Sequence, residues 1–212
     1  MVMRWAVIWD YREALWSGLQ LTVEITLLTI GGALLLGTLI GCLRQLPSYF
    51  LGRAVLAYVE VIRNIPSVVK VFFLYFVAGF DALPAAVIGL SLHQSGYISD
   101  VLDAGFRSIP REQSEAAWAC GHSRLQIFVH VLLPQVWAIV LPALASQLIE
   151  IVKNSAAAML LGIKELTFQT QNIDVETFRG FEAATTVTLI YLALALSIAG
   201  IMTMLERRML WR

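Results

Sequence analysis

The 212 residues of this chain are 58% hydrophobic and 14% charged, and the mean hydropathy is +0.75. These proportions are too apolar for an ordinary soluble domain and indicate a protein that is surrounded by the lipid of a bilayer. The 15 basic residues balance the 15 acidic residues and are scattered singly along the chain, a distribution that does not predict a nucleic-acid partner.

Five stretches of the chain approach the length of about 20 mostly apolar residues that a membrane-spanning helix requires. The sequence therefore predicts an all-α fold, a polytopic transmembrane helical bundle of about five spans, in a single domain over residues 1–212. The approximate spans are 19–43, 60–80, 83–103, 125–152 and 183–205. The three middle spans contain charged residues, which we expect to face the bundle interior or a water-filled path because such groups are costly in hydrocarbon.

The basic residues predict the orientation, because connections on the cytoplasmic side of a membrane carry an excess of lysine and arginine. With five spans, the side that carries this excess holds Arg44, Arg53, Arg107, Arg111, Arg124, Arg207 and Arg208. We therefore expect the amino terminus outside and the carboxyl terminus in the cytoplasm.

Two connections are too long to be simple turns. In the inner one, residues 104–124, Pro110 precedes a run of good helix formers, which predicts a short cytoplasmic helix. In the outer one, Asn154 and Ser155 are a possible helix cap and Gly162 is a stop signal.

A short motif lies in the inner connection: Glu115-Ala116-Ala117, then Gly121, then Leu133-Pro134. Its spacing resembles the EAA loop of binding-protein-dependent ABC importer permeases. Flanking sequences resemble the polar amino acid branch of that family, namely Glu60-Val61-Ile62-Arg63-Asn64-Ile65-Pro66, Ser108-Ile109-Pro110 and Gly162-Ile163-Lys164-Glu165-Leu166. The resemblance extends over nearly the whole chain, from Gly18 to Arg208.

The resemblance implies a type I ABC importer permease fold, a bacterial inner membrane and ATP-driven import of a polar amino acid. It implies that the short inner helix couples the chain to an ATP-binding ABC subunit through Glu115, Ala116, Ala117 and Gly121. The other implied partners are a second permease subunit, identical or related, and an extracytoplasmic solute-binding protein. ATP and Mg²⁺ would bind on the ATPase, because this chain has no G-x-x-x-x-G-K-[ST] phosphate loop. The chain itself is thus predicted to hold no cofactor and to be no enzyme.

Candidate residues for a solute path lie in the polar spans. Arg63 and Lys70 are seven apart, which places them on one face of a continuous helix, and either could bind a substrate carboxylate. The alternatives for Arg63 are an ion pair with Glu60 or snorkelling of its side chain to the inner surface. Asn64 and Pro66 are expected to break or kink the second span, and a broken helix can expose backbone groups to a solute.

Glu150 and Lys153 are three apart on the fourth span, so they either pair with each other or line the path. The polar and basic residues of the second span give a weak preference for an acidic substrate such as glutamate or aspartate. An alternative function is an ion-coupled secondary transporter of small polar solutes, although five spans without an internal repeat argue against it. The two cysteines are poorly placed for a metal site, and no metal is predicted.

Three single positions and one stretch of three residues depart from the family pattern. Asp100 stands where a Glu is usual, and Asp103 where an Arg is usual. Glu112 replaces a usual Gly, and Ala156-Ala157-Ala158 replaces a stretch that contains Ser. None of these departures lies in the Glu-Ala-Ala core of the inner connection.

Overall fold

The computed structural model describes residues 4–210, with side chains described up to residue 208. Residues 1–3, 211 and 212 of the predicted domain lie outside that range. The helices are α1 (Ala6–Asp10), α2 (Arg12–Leu43), α3 (Tyr49–Asn64), α4 (Ser67–Phe72), α5 (Ala82–Ser108), α6 (Arg111–Ala119), α7 (Arg124–Gln126), α8 (Leu133–Asn154), α9 (Leu166–Thr177) and α10 (Gly180–Leu210). Two π-helical segments, Phe73–Val77 and Ile127–Leu132, and one 3-10 segment, Ser155–Leu161, continue these helices. The all-α prediction is confirmed.

Three helical stretches of the described chain are long and apolar enough to cross a membrane: Arg12–Leu43, Arg124–Leu161 and Gly180–Arg208. They contain the predicted first, fourth and fifth spans. The predicted third span lies inside α5, whose 27 residues give a length of about 40 Å. This helix is more polar than the other three, and its buried polar residues are Ser91, Gln94, Ser95, Ser99 and Asp103.

The predicted second span, residues 60–80, is interrupted at Ile65 and Pro66, in keeping with the break or kink expected at Asn64 and Pro66. The helix begins earlier, at Tyr49, where Ser48 accepts a hydrogen bond from the Leu51 N–H. It ends at Asn64, and the chain is extended at Ile65 before α4 begins at Ser67. Pro66 is the physical reason, because a proline disfavours the α conformation in the residue before it and cannot donate a backbone hydrogen bond.

Close packing of α2 against α5 forms the centre of the bundle. Gly37 and Gly41 of α2 are buried against Ile98 and Leu102 of α5. A Cβ atom on Gly37 would lie 2.7 Å from side-chain atoms of Ile98 and 3.0 Å from the Ser95 carbonyl oxygen. Small residues permit this approach of two backbones, which is a main source of helix association in membranes.

The outer connection is held by Glu165, which is completely buried. Its carboxylate accepts hydrogen bonds from the N–H groups of Thr167 and Phe168 at the start of α9 and from the Tyr191 hydroxyl of α10, at 2.7–2.8 Å. The preceding segment ends at Gly162, at a φ of 77°, as the sequence predicts. The predicted cap before it is wrong, because α8 runs on through Asn154 into the 3-10 segment and the Asn154 side chain makes no capping bond.

The first short helix contacts the end of α9. The Tyr11 hydroxyl donates a hydrogen bond of 2.5 Å to the Glu176 carboxylate. This bond, followed by burial and the negative charge of Glu176, raises the pKa of the Tyr11 phenol, because the carboxylate disfavours the phenolate.

The α2–α5 contact predicts unequal effects of substitution at two glycines of one helix. Gly37→Ala should lower the free energy of unfolding by about 1–3 kcal/mol, because the methyl group overpacks a closed interface. Gly31→Ala is the matched control, since a Cβ at Gly31 meets no atom within 4 Å. The midpoint of thermal unfolding in detergent measures both changes, and equal midpoints for the two variants would contradict this account of the packing.

Candidate functional site

The EAA motif lies on α6, which projects from one end of the bundle and has no buried residue. Glu115 and Ala116 are exposed, and Ala117 is half-buried. Glu115 also lines an open hollow of about 370 Å³ together with Ser114, Trp118, Arg124 and Ile127. The motif therefore presents a carboxylate and small side chains to whatever docks at this end.

The turn after α6 is fixed by two capping arrangements. Gly121 adopts a φ of 86°, a region that favours glycine. The Gly121 N–H donates to the Trp118 carbonyl oxygen and the His122 N–H to that of Ala117, which is a Schellman motif. Ser123 then forms a capping box with Gln126 at the start of α7. The motif therefore contains a glycine because this turn requires a positive φ. The turn holds α6 in one orientation relative to the helix that follows.

A polar cavity of about 520 Å³ lies between α5 and α8. Its lining residues are His93, Gln94, Tyr97, Ser146, Gln147, Ile149, Glu150, Lys153 and Asn154. Two hydrogen-bonded pairs of polar side chains lie on the wall of the cavity. The Lys153 ammonium donates to the Glu150 carboxylate at 2.9 Å, and the Gln94 amide donates to the Gln147 amide oxygen at 2.7 Å.

The residues proposed for the solute path from the sequence fall into two groups. Glu150 and Lys153 lie together in the cavity and pair with each other, as their spacing predicts. Arg63 lies beside it, with its guanidinium 4.9 Å from the centre of the Tyr97 ring. Asn64 is not among the cavity's lining residues, and its amide donates to the Glu60 carbonyl oxygen at 2.7 Å.

Lys70 and Arg63 do not share a helical face, so that prediction is wrong. The break at Pro66 turns Lys70 back toward the end of α3, and its side chain is buried. Its ammonium donates to the carbonyl oxygens of Ile62 and Ile65, at 2.7 and 2.5 Å. These carbonyls lie at a helix end that has no further N–H partners and carries partial negative charge, so Lys70 caps α3.

Arg63 pairs with Asp100 of α5 and not with Glu60. Asp100 also binds Arg44, which follows α2, at 2.6 Å. Arg44 in turn binds Asp103 at 3.1 Å, and Asp103 binds Arg107 at 2.9 Å. Five charges thus form one chain that joins α2, α3 and α5.

This ion-pair chain accounts for one departure from the family pattern. An arginine at position 103 would face Arg44, whose side chain is only 9% exposed. Asp103 instead neutralises Arg44 and receives a further hydrogen bond of 3.1 Å from the Gln45 amide. A buried charge requires such a partner, because an uncompensated one is strongly destabilising.

The sequence does not single out Tyr97, Ser146 or Gln147, and it indicates Asn154 only as part of a possible helix cap. A signal for them exists in α8, because Gln147, Glu150 and Asn154 recur at helical spacing on an otherwise apolar helix. Within residues 4–208, no group of three His, Cys, Asp or Glu side chains is arranged to hold a metal ion.

The known proteins that this chain resembles are membrane components of transport systems. Residues 33–211 match the family model described as "Binding-protein-dependent transport system inner membrane component". The glutamine transport system permease protein GlnP of Escherichia coli (strain K12) is 32% identical, over 99% of both chains. The glutamate/aspartate import permease protein GltJ of the same organism is 29% identical, over 93% of this chain and 88% of that protein.

A solved structure agrees with the fold. The crystal structure of an amino acid ABC transporter with histidines contains a chain that superposes with a TM-score of 0.89 at 27% identity. The match covers 98% of the chain described here and 100% of the other. The helical arrangement is therefore that of an ABC importer permease.

The ion-pair chain predicts that the two arginines that bind Asp103 contribute unequally to the free energy of unfolding. Arg44→Gln should lower the free energy of unfolding by about 3 kcal/mol, because it removes the buried cation that bridges Asp100 and Asp103. Arg107→Gln should cost less than about 1 kcal/mol, since the Arg107 side chain is 74% exposed. Denaturant unfolding in detergent measures the free energy of unfolding of both variants. An equal loss in the two would show that the burial of Arg44 does not determine its contribution to stability.

Proposed function

Since this chain belongs to the family of binding-protein-dependent transport system inner membrane components, we propose that it is a permease subunit of an ATP-driven importer of amino acids. The observation that carries this proposal is the exposed α6 helix, which presents the EAA motif at one end of a bundle that also contains a polar cavity between α5 and α8. The family makes the chain a membrane component of a transport system and not its ATPase. Its partners would be an ATP-binding subunit, a second permease subunit and an extracytoplasmic solute-binding protein.

The coupling role falls to α6. An ATPase subunit that docks on Glu115, Ala116 and Ala117 would push a helix whose orientation is fixed by the Gly121 turn. The displacement would pass into the continuous helical stretch from Arg124 to Leu161, because a packed helix moves as a unit. ATP and Mg²⁺ would bind on that ATPase, and the α6 end would face the cytoplasm.

The solute path would include the cavity between α5 and α8. An amino acid in solution carries one ammonium and one carboxylate, and the Glu150–Lys153 pair offers one partner of each sign. The Gln94 and Gln147 amides, each a donor and an acceptor, suit a polar uncharged side chain. We therefore propose a polar neutral amino acid such as glutamine, a choice that the resemblance to GlnP supports.

The preference for an acidic substrate is based on the basic residues of the second span, and the structure shows that both of them already have partners. Arg63 is occupied by Asp100, and Lys70 by the carbonyl groups at the end of α3. In contrast to Lys153, neither of these two cations is among the lining residues of the cavity. The alternative function, an ion-coupled secondary transporter, is not favoured by membership in a binding-protein-dependent family.

Coupling is tested with two substitutions on α6. Glu115→Ala should reduce ATP-dependent uptake about tenfold or more and reduce co-purification of the ATPase. One charge-assisted hydrogen bond is worth about 1.5–3 kcal/mol, which corresponds to at least that factor. Gln113→Ala is the control, because Gln113 is exposed on another face of the same helix. A normal membrane level of both variants, measured by quantitative immunoblot, separates coupling from folding; unchanged uptake in Glu115→Ala would refute the docking role.

Substrate binding is tested in proteoliposomes that contain the whole transporter and its solute-binding protein. The double variant Glu150→Gln/Lys153→Gln should raise the KM for glutamine at least fivefold, because the zwitterionic partners are lost while the cavity keeps its size. Lys164→Gln is the control, since Lys164 is exposed and is not among the cavity's lining residues. An unchanged KM in the double variant would place the solute path elsewhere, and preferred uptake of glutamate would contradict the proposed substrate.

A further inference from the structure

An apolar groove of about 580 Å³ lies at the α6 end of the bundle, between the end of α2, the end of α5 and the stretch that begins at Arg124. Its wall is mainly Leu39, Leu43, Leu46, Phe106, Phe128 and Leu132. Phe106 and Phe128 are stacked with their ring centres 5.4 Å apart. Gln45 also lines the groove, but its amide is already bonded to Asp103 and to a backbone carbonyl.

The groove lies at the boundary of the hydrocarbon layer. One membrane-crossing stretch ends at Leu43, and the next begins at Arg124. Leucines on the groove and beside it are exposed, with 72% of Leu35, 55% of Leu39 and 71% of Leu125 accessible. An exposed apolar surface at this depth faces lipid acyl chains.

Arg124 brings a positive charge to the rim of this groove. Its guanidinium stands over the Trp118 ring, 5.8 Å from the ring centre. Among the side chains of residues 4–208, no carboxylate lies within ion-pair distance of it. A guanidinium binds a phosphate through two parallel hydrogen bonds, and basic pockets between membrane helices bind acidic headgroups.

We propose that this groove is a binding site for an anionic phospholipid of the leaflet on the α6 side. One acyl chain occupies the apolar groove, and the headgroup phosphate binds Arg124. The apolar wall suits the chain, and the charge of Arg124 selects a headgroup with a net negative charge over a zwitterionic one.

The same arginine connects the lipid to the docking surface. Arg124 lines both this groove and the hollow that contains Glu115 and Trp118. A phospholipid bound to Arg124 therefore lies next to the surface on which α6 presents its motif. The lipid composition of that leaflet would thereby influence how α6 is held.

Lipid binding to the purified complete transporter tests this site without relying on transport. The complex is incubated with phosphatidylglycerol or with phosphatidylcholine of the same chain length, and retained lipids are counted by native mass spectrometry. The wild-type complex should retain at least three times more phosphatidylglycerol than phosphatidylcholine. Arg124→Gln should reduce phosphatidylglycerol occupancy about fivefold and leave phosphatidylcholine unchanged.

Arg53→Gln is the matched control, because Arg53 also stacks on an aromatic ring, with its guanidinium 5.4 Å from the centre of Tyr49, and it does not line the groove. Leu39→Trp is a second variant that fills the groove and retains Arg124, so it should reduce retention of both lipids. Equal retention of the two lipids by the wild-type complex overturns the proposal. So does equal loss in the Arg124 and Arg53 variants, or no retained lipid at all, which would mean that another protein surface covers the groove.

Discussion

The burial of α5 is the constraint on which the rest of the structure depends. This helix carries two carboxylates and several hydroxyl and amide groups, and none of them can be left facing hydrocarbon without a large cost. Neighbouring helices therefore surround it, with glycines of α2 permitting the closest approach. The arginines that neutralise Asp100 and Asp103 come from the residue after α2, from α3 and from α5 itself. The polar cavity lies where α5 meets α8.

Much of this arrangement could be predicted from the sequence, because it depends on local signals. The apolar runs predict long helices where α2, α5, α8 and α10 lie, and the proline before α6 and the glycine after it predict one surface helix. The pairings between helices could not be predicted, because spacing along one helix says nothing about the partner on another. Arg63 with Asp100, and Gln94 with Gln147, are such pairs. Lys70 does not share a helical face with Arg63 because the seven-residue spacing crosses Pro66, where the helix is interrupted.

The α6 docking end and the polar cavity are linked by one continuous helical stretch. Arg124 lies at the docking end, and Glu150 lies in the cavity, on one helical stretch. The 26 residue steps from Arg124 to Glu150 correspond to about 39 Å at the α-helical rise. A π-helical segment, Ile127–Leu132, lies near the docking end of this stretch. Such segments locally widen a helix and are frequent at functional sites, so the stretch can adjust near the docking end.

The capping of α3 by Lys70 has a consequence for the energy source. Secondary transporters with broken helices use the freed carbonyl groups to hold a sodium ion or a proton-carrying group. Here the chain supplies its own ammonium to the carbonyls of Ile62 and Ile65. A cation that is covalently attached cannot dissociate on the other side of the membrane. The carbonyl groups at the break in the second span thus have a partner without a coupling ion. A sodium gradient has no site there on which to act.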